Sequence, residues 1–175
     1  MARIFLCDLE TTGLDASRHE ILEIGGILFD KDTCTILDVI DIKVKPERPE
    51  DGDPKAYFVN GYTKEDWKDA IGLHEAMLIV SEKAEKSLFM SYSVTFDWSF
   101  MQAAFKKTGI EDPFHYHRLD LLTLAWSKIP HSKMGSWALK SVCSYLNIPP
   151  EPKVHRGMNG AMKSYEVYRR LAEMK

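Results

Sequence analysis

A mixed α/β fold, a sheet covered by helices, is predicted for this 175-residue chain. Two observations predict it. The first half carries three strand-like apolar runs separated by short polar turns, and the second half shows apolar spacings of three and four around one more short strand. Residues 3–9 form the first run, which ends in carboxylates. Ile21, Leu22, Ile24, Ile27, Leu28 and Phe29 form the second, with Gly25-Gly26 inside it. Val39, Ile40, Ile42 and Val44 mark the third. The polar turns at 16–19 and 30–33 are short enough to join them as an antiparallel meander. Residues 45–54, rich in proline and acid, read as an exposed loop, and Asn60-Gly61 as a turn. After Thr63 the pattern becomes helical, with Leu73, Ala76, Met77, Val80, Ala84 and Leu88 on one face. Residues 88–93 suit a short strand. Residues 95–107 suit a helix, with Thr95 a candidate N-cap. Further helices are predicted over 119–126, 136–146 and 157–174.

Composition bounds the rest. With 45% hydrophobic and 28% charged residues, the chain suits one well-packed domain over 1–175 and not general disorder. Its formal charge of −3 and pI near 6.1 count against a broad duplex-binding surface. They remain compatible with a carboxylate site whose local charge is reversed by bound cations. Cys7, Cys34 and Cys143 are far apart and form no Cys-x-x-Cys pair, which suits small buried residues in a reducing compartment. A carboxylate at Asp8 comes too early for a secretory signal, and no apolar run spans a bilayer. A soluble, cytoplasmic protein without a membrane partner is expected.

Three places carry chemistry. Asp8 and Glu10 stand two apart at the end of an apolar strand, so both point to one face. Two carboxylates there repel each other, and a hard divalent cation resolves the conflict. Taken alone, Asp-x-Glu is more often a strand end whose acids are hydrated. Asp97 opens a helix after the short strand, where an acid is ordinarily a dipole partner. His155 precedes the last helix, where a lone histidine is usually a surface residue.

In combination these residues resemble one family. Asp8-Leu9-Glu10-Thr11-Thr12-Gly13-Leu14 looks like the first motif of the DEDDh exonucleases, which include proofreading subunits and oligoribonucleases. The segment 20–25 resembles their second strand, and Asn60-Gly61-Tyr62-Thr63 the turn before their first helix. Residues 92–97 resemble the second motif, with Tyr92-Ser93 where His-Asn is common, and 155–161 resemble the third. The resemblance spans nearly the whole chain. It implies a ribonuclease-H-like five-stranded mixed sheet flanked by helices. It also implies 3′–5′ hydrolysis of terminal phosphodiesters to nucleoside monophosphates, with two Mg2+ or Mn2+ ions per site. Asp8, Glu10 and Asp97 would be metal ligands, Asp97 acting largely through water. His155 would be the general base, a task that suits its ordinary pKa of about 6.5. Thr11, Thr12, Gly13 and Leu14 would line the pocket for the terminal nucleotide, with Leu14 against a base face.

One position departs from the pattern. The third motif ends in Asp-Ala, and here Gly160 precedes Ala161; Gly157 also stands where Ala is usual. Asp8, Glu10 and Asp97 are therefore one carboxylate short of the set that balances two divalent ions, so a single metal is one expectation. Asn159 and Glu166 are poorly angled on a helix to substitute. Glycine also weakens the helix by about 1 kcal/mol. Three readings stay open: an inactivating substitution, a degenerate binding module, or an altered metal set. Lys128, His131, Lys133, Lys140, Lys153, Arg156 and Lys163 are candidate phosphate contacts, and Lys106-Lys107 suits an exposed helix face. This sparse set suits a short single strand of DNA or RNA. A polymerase or a second copy of the chain would be the protein partner. A phosphotransferase with Asp8 as nucleophile would want Asp at position 10, and Glu10 argues against it.

Overall fold

The computed structural model describes residues 3–174. Strands β1 (Arg3–Thr11), β2 (Ile21–Asp30) and β3 (Ile36–Lys43) form the expected antiparallel meander. Strands β4 (Leu88–Ser91) and β5 (Arg118–Asp120) add in parallel beyond β1. The sheet is five-stranded and mixed, in the order β3-β2-β1-β4-β5. Helices α1 (Pro54–Asn60), α2 (Leu73–Lys83), α3 (Val94–Thr108), α4 (Leu121–Lys128), α5 (Leu139–Tyr145) and α6 (Gly157–Glu173) complete it.

Alternation along β1 sorts the two cores. Phe5, Cys7 and Leu9 face the layer of α2 and α3, with Met77, Val80, Phe100 and Phe105. Ile4 and Leu6 face the layer of α4, α5 and α6, with Leu121, Val142, Tyr165 and Leu171. Because both faces are covered, every residue of β2 is buried. Gly25 and Gly26 answer the two layers in turn. A Cβ on Gly25 would lie 2.0 Å from the backbone carbon of Gly157, where α6 begins, and one on Gly26 would strike the Phe5 ring.

Several elements differ from the sequence reading. Helix α1 starts inside the proline-rich loop, where Asp53 caps the Lys55 amide and Pro54 takes the first helical position. The helical pattern after Thr63 begins only at Leu73, and the residues between are turns anchored by buried Trp67, whose indole donates to the Leu22 carbonyl at 3.0 Å. Thr95 is not a cap: α3 starts a residue earlier, and Asp120 accepts from the Val94 amide at 2.9 Å. The same Asp120 caps α4 through Thr123. Strand β5, three residues long, is too short to show a period.

The close approach at Gly25 makes a direct prediction. Gly25→Ala forces backbone against backbone and should cost about 1–3 kcal/mol of stability. Denaturant unfolding beside the wild type measures it, and an unchanged midpoint would refute the packing described.

Candidate active site

The even positions of β1 run Ile4, Leu6, Asp8, Glu10, so the two carboxylates continue the face that packs under α6. Strand β4 stops at Ser91, and its last pairing with β1 is Leu6↔Met90. The end of β1 therefore projects past its neighbour with a free amide edge. Asp97, buried in the first turn of α3, fills the gap and accepts from the Leu9 amide at 3.1 Å. Three acids thus meet at one end of the sheet.

Their protonation reports the crowding. Asp8 is held well above the usual carboxylate range by burial, then by Asp97, Glu10, Glu151 and Glu23. Glu10 is pushed up to about 8 by burial, then by Glu23 and Glu151, with Arg156 pulling it down. Burial raises Asp97 to about 6, opposed by the Ser91 hydroxyl and the Leu9 amide. That Ser91 hydroxyl lies near Asp97 but outside good hydrogen-bond geometry, since its buried oxygen has no partner. Hard oxygen donors that resist ionisation together are what a divalent cation relieves. Among the described residues, no three His, Cys, Asp or Glu side chains are already drawn into one ligand sphere. The donor chemistry fits a divalent ion, and the carboxylates must close around it.

Gly160 explains where Asp8 leans. A Cβ at position 160 would lie 2.2 Å from Asp8 Oδ2 and 2.5 Å from its Cγ. The Asp8 carboxylate occupies the space a side chain on α6 would claim. An acid at 160 therefore requires Asp8 to turn away first.

Glu23 was not singled out in the sequence. It lies opposite Glu10 in the β1–β2 register and is buried. Its carboxylate accepts from the Gly157 amide at 2.9 Å and from Arg156 at 3.0 Å, so it caps α6 from outside the helix. This corrects Arg156 as a phosphate contact, because its guanidinium is taken by Glu23 and lies 5.1 Å from the Trp67 ring. Lys128 is likewise bonded to the Met174 carbonyl. Its charge beside the helix end could not have been read from spacing alone. Glu151, in the loop before α6, also missed from sequence, is a further carboxylate acting on Asp8 and Glu10.

His155 is exposed, and its amide donates to the Val59 carbonyl at 3.1 Å. Asn60, at the end of α1, is buried and donates to the Thr11 carbonyl at 3.0 Å. Helix α1 thus ties the histidine loop to the end of β1. Phe58 on α1 is 88% exposed and Leu14 is 80% exposed, two apolar side chains left in solvent on segments that border the acids. Thr11 and Thr12 are buried: Thr11 donates to the Gly13 carbonyl, and Thr12 accepts from the Glu20 amide. Gly13 is covered by the His19 ring. Of the four residues expected to line a nucleotide pocket, Leu14 alone is open, and the others shape the loop. A cavity of about 450 Å3, bordered by His19, Glu20, Lys45, Phe100 and Lys107, opens elsewhere and none of the three acids lines it.

Comparison with known proteins is consistent with this geometry. A family model described as Exonuclease, of the RNase T type, matches residues 5–168. The PolC-type DNA polymerase III of Thermotoga petrophila is 29% identical over 174 residues, which is 99% of this chain and 12% of that protein. Ribonuclease T of Haemophilus influenzae is 27% identical over 163 residues, 85% of this chain and 69% of that protein. The chain therefore spans a small part of its polymerase relatives. Among solved structures, one of exonuclease I superposes with a TM-score of 0.84 at 16% identity, covering all of this chain and 42% of that one. A 3′-exonuclease solved for its recognition of a histone mRNA stem-loop has a TM-score of 0.76 at 17% identity, covering 97% and 63%. These structural likenesses are ones of fold, and they agree with the ribonuclease-H-like sheet.

The crowded acids predict a pH effect in the metal-free chain. A carboxyl whose folded pKa is raised holds its proton more tightly in the fold. Its stabilising effect is complete below the unfolded pKa of about 4. It is lost as pH rises through about 6 for Asp97 and about 8 for Glu10. In EDTA, Glu10→Gln should therefore melt higher than wild type above about pH 8, with the difference shrinking towards zero near pH 4. Mn2+ should raise the wild-type melting temperature more than that of the variant. A Glu10→Gln protein that melts lower at high pH would contradict the crowding.

Proposed function

Since the chain belongs to the Exonuclease family matched over residues 5–168, we propose that it acts on single-stranded nucleic acid as a 3′–5′ exonuclease of the DEDDh type, slowed by Gly160. The observation that carries this reading is the meeting of Asp8, Glu10 and Asp97 at the projecting end of β1. These three side chains would hold Mg2+ or Mn2+, and the ion when bound supplies positive charge at the scissile phosphate. The protein's own groups then divide the remaining work. His155, on an exposed loop pinned to α1, takes a proton at its ring nitrogen from the attacking water. Leu14 and Phe58 offer apolar faces to the terminal base, without reading its identity. Asn60 and Glu23 position the loops that carry these groups. With no acid at 160, Glu151 is a candidate for a replacement carboxylate, because it acts on both Asp8 and Glu10 while Glu23 is engaged by Arg156 and the Gly157 amide.

A second reading has its own support. Gly160 leaves Asp8 leaning into α6, which suits a module that binds nucleic acid with little cleavage. The PolC-type relatives extend far beyond this segment, which supports a polymerase as its working partner.

A 3′-labelled oligonucleotide incubated with Mg2+ or Mn2+ separates the two. Gly160→Asp should raise Mn2+-dependent release of mononucleotide by at least about tenfold, whereas Gly160→Ala, which adds the Cβ alone, should not. Glu10→Ala should abolish release in every background, and Glu151→Gln should lower what the wild type retains. A folded Gly160→Asp protein that stays inert would remove the exonuclease reading.

A further inference from the structure

Between Leu121 and Pro150 the chain has no aspartate or glutamate, while it carries Lys128, His131, Lys133 and Lys140. In a chain of formal charge −3 this is a local reversal of sign. The same stretch holds Trp126 and Trp137, whose rings pack with centroids 4.6 Å apart, tilted 45° to one another. His131 lies 4.1 Å from Trp126 and 5.5 Å, edge-on, from Trp137. The His131 ring nitrogen sits 3.0 Å from the Trp126 carbonyl oxygen, which fixes its position in the cluster. Trp126 remains 48% exposed, although an indole is among the side chains that gain most from burial. Lys133 and Lys140 are exposed, and no ion pair among the described residues uses them.

This cluster is joined to the carboxylate end of the sheet. The Tyr92 hydroxyl donates to the Trp137 carbonyl at 2.6 Å, and the Leu122 amide donates to the Tyr92 carbonyl at 3.0 Å. Tyr92 lies in the short link between β4 and the helix that carries Asp97. A surface of preordered aromatic rings with unpaired cations suits a flexible polyanion that has flat apolar faces. An acidic protein surface would satisfy the lysines but would leave the clustered rings without a matching face.

We propose that Trp126, His131 and Trp137 form a stacking platform for bases of single-stranded nucleic acid upstream of its 3′ end, with Lys133 and Lys140 supplying phosphate contacts. The proposal rests on the exonuclease reading of the carboxylate site and extends it to the rest of the strand. It is tested by fluorescence anisotropy with a 5′-labelled thymidine dodecanucleotide in Ca2+, and by competition with thymidine monophosphate. Trp126→Ala should weaken dodecanucleotide binding about tenfold while leaving the mononucleotide unaffected. Trp126→Phe should restore most of the affinity, because a stacking face is kept. Lys133→Gln should lower the slope of log affinity against log salt by about 0.7. Circular dichroism should match the wild type in each variant. Unchanged dodecanucleotide binding in folded Trp126→Ala overturns the platform alone. Equal losses for both ligands overturn it too, since they signal damage at the terminal site. Failure of the wild type to bind either ligand overturns the exonuclease reading and the platform with it.

Discussion

The entry of α6 against the sheet organises this molecule. At Gly25 the helix backbone comes so near β2 that no side chain fits between them, and buried Glu23 holds the first helical amide and the arginine before it. A buried carboxylate is costly unless its oxygens are satisfied, and here the helix terminus and a guanidinium satisfy both. That one contact sets the height of α6 above β1. It brings Gly160 against Asp8 and places the preceding histidine loop beside α1.

The acids depend on a second constraint, the unequal lengths of neighbouring strands. Because β4 ends early, β1 continues alone and leaves an amide that Asp97 takes. The carboxylates are thus fixed by backbone geometry rather than by salt bridges. The proton affinities of Asp8, Glu10 and Asp97 are raised first by burial, and those of Asp8 and Glu10 further by neighbouring carboxylates. Such convergence destabilises the fold, and a bound cation would relieve it. Gly160 bears on this balance by leaving open the volume into which Asp8 leans.

Much of the fold was legible because its signals are local. Three apolar runs with short polar turns specify a meander, and spacings of three and four specify α2, α3 and α5. The short elements were not legible. Strand β5 has too few residues to show alternation, and the cap and proline that start α1 lie in a segment whose composition reads as loop. Of the acids, Asp8 and Glu10 stood out because they break an apolar strand at a spacing of two. Glu23 and Glu151 did not, since a glutamate beside a strand or in a loop is commonplace until its neighbours are known.

By itself the sequence determined the layers and the strand face on which Asp8 and Glu10 lie. Periodicity and residue identity suffice for each, since side-chain direction follows directly from backbone repeat. Only the tertiary structure decided that Glu23 caps α6 across 134 positions of chain, that Arg156 is consumed by that contact, and that Thr11 and Thr12 turn inward. It also decided that Asp8 fills the space beside Gly160. These are contacts between residues distant in sequence, set by how closely two backbones approach, and no local pattern records that distance.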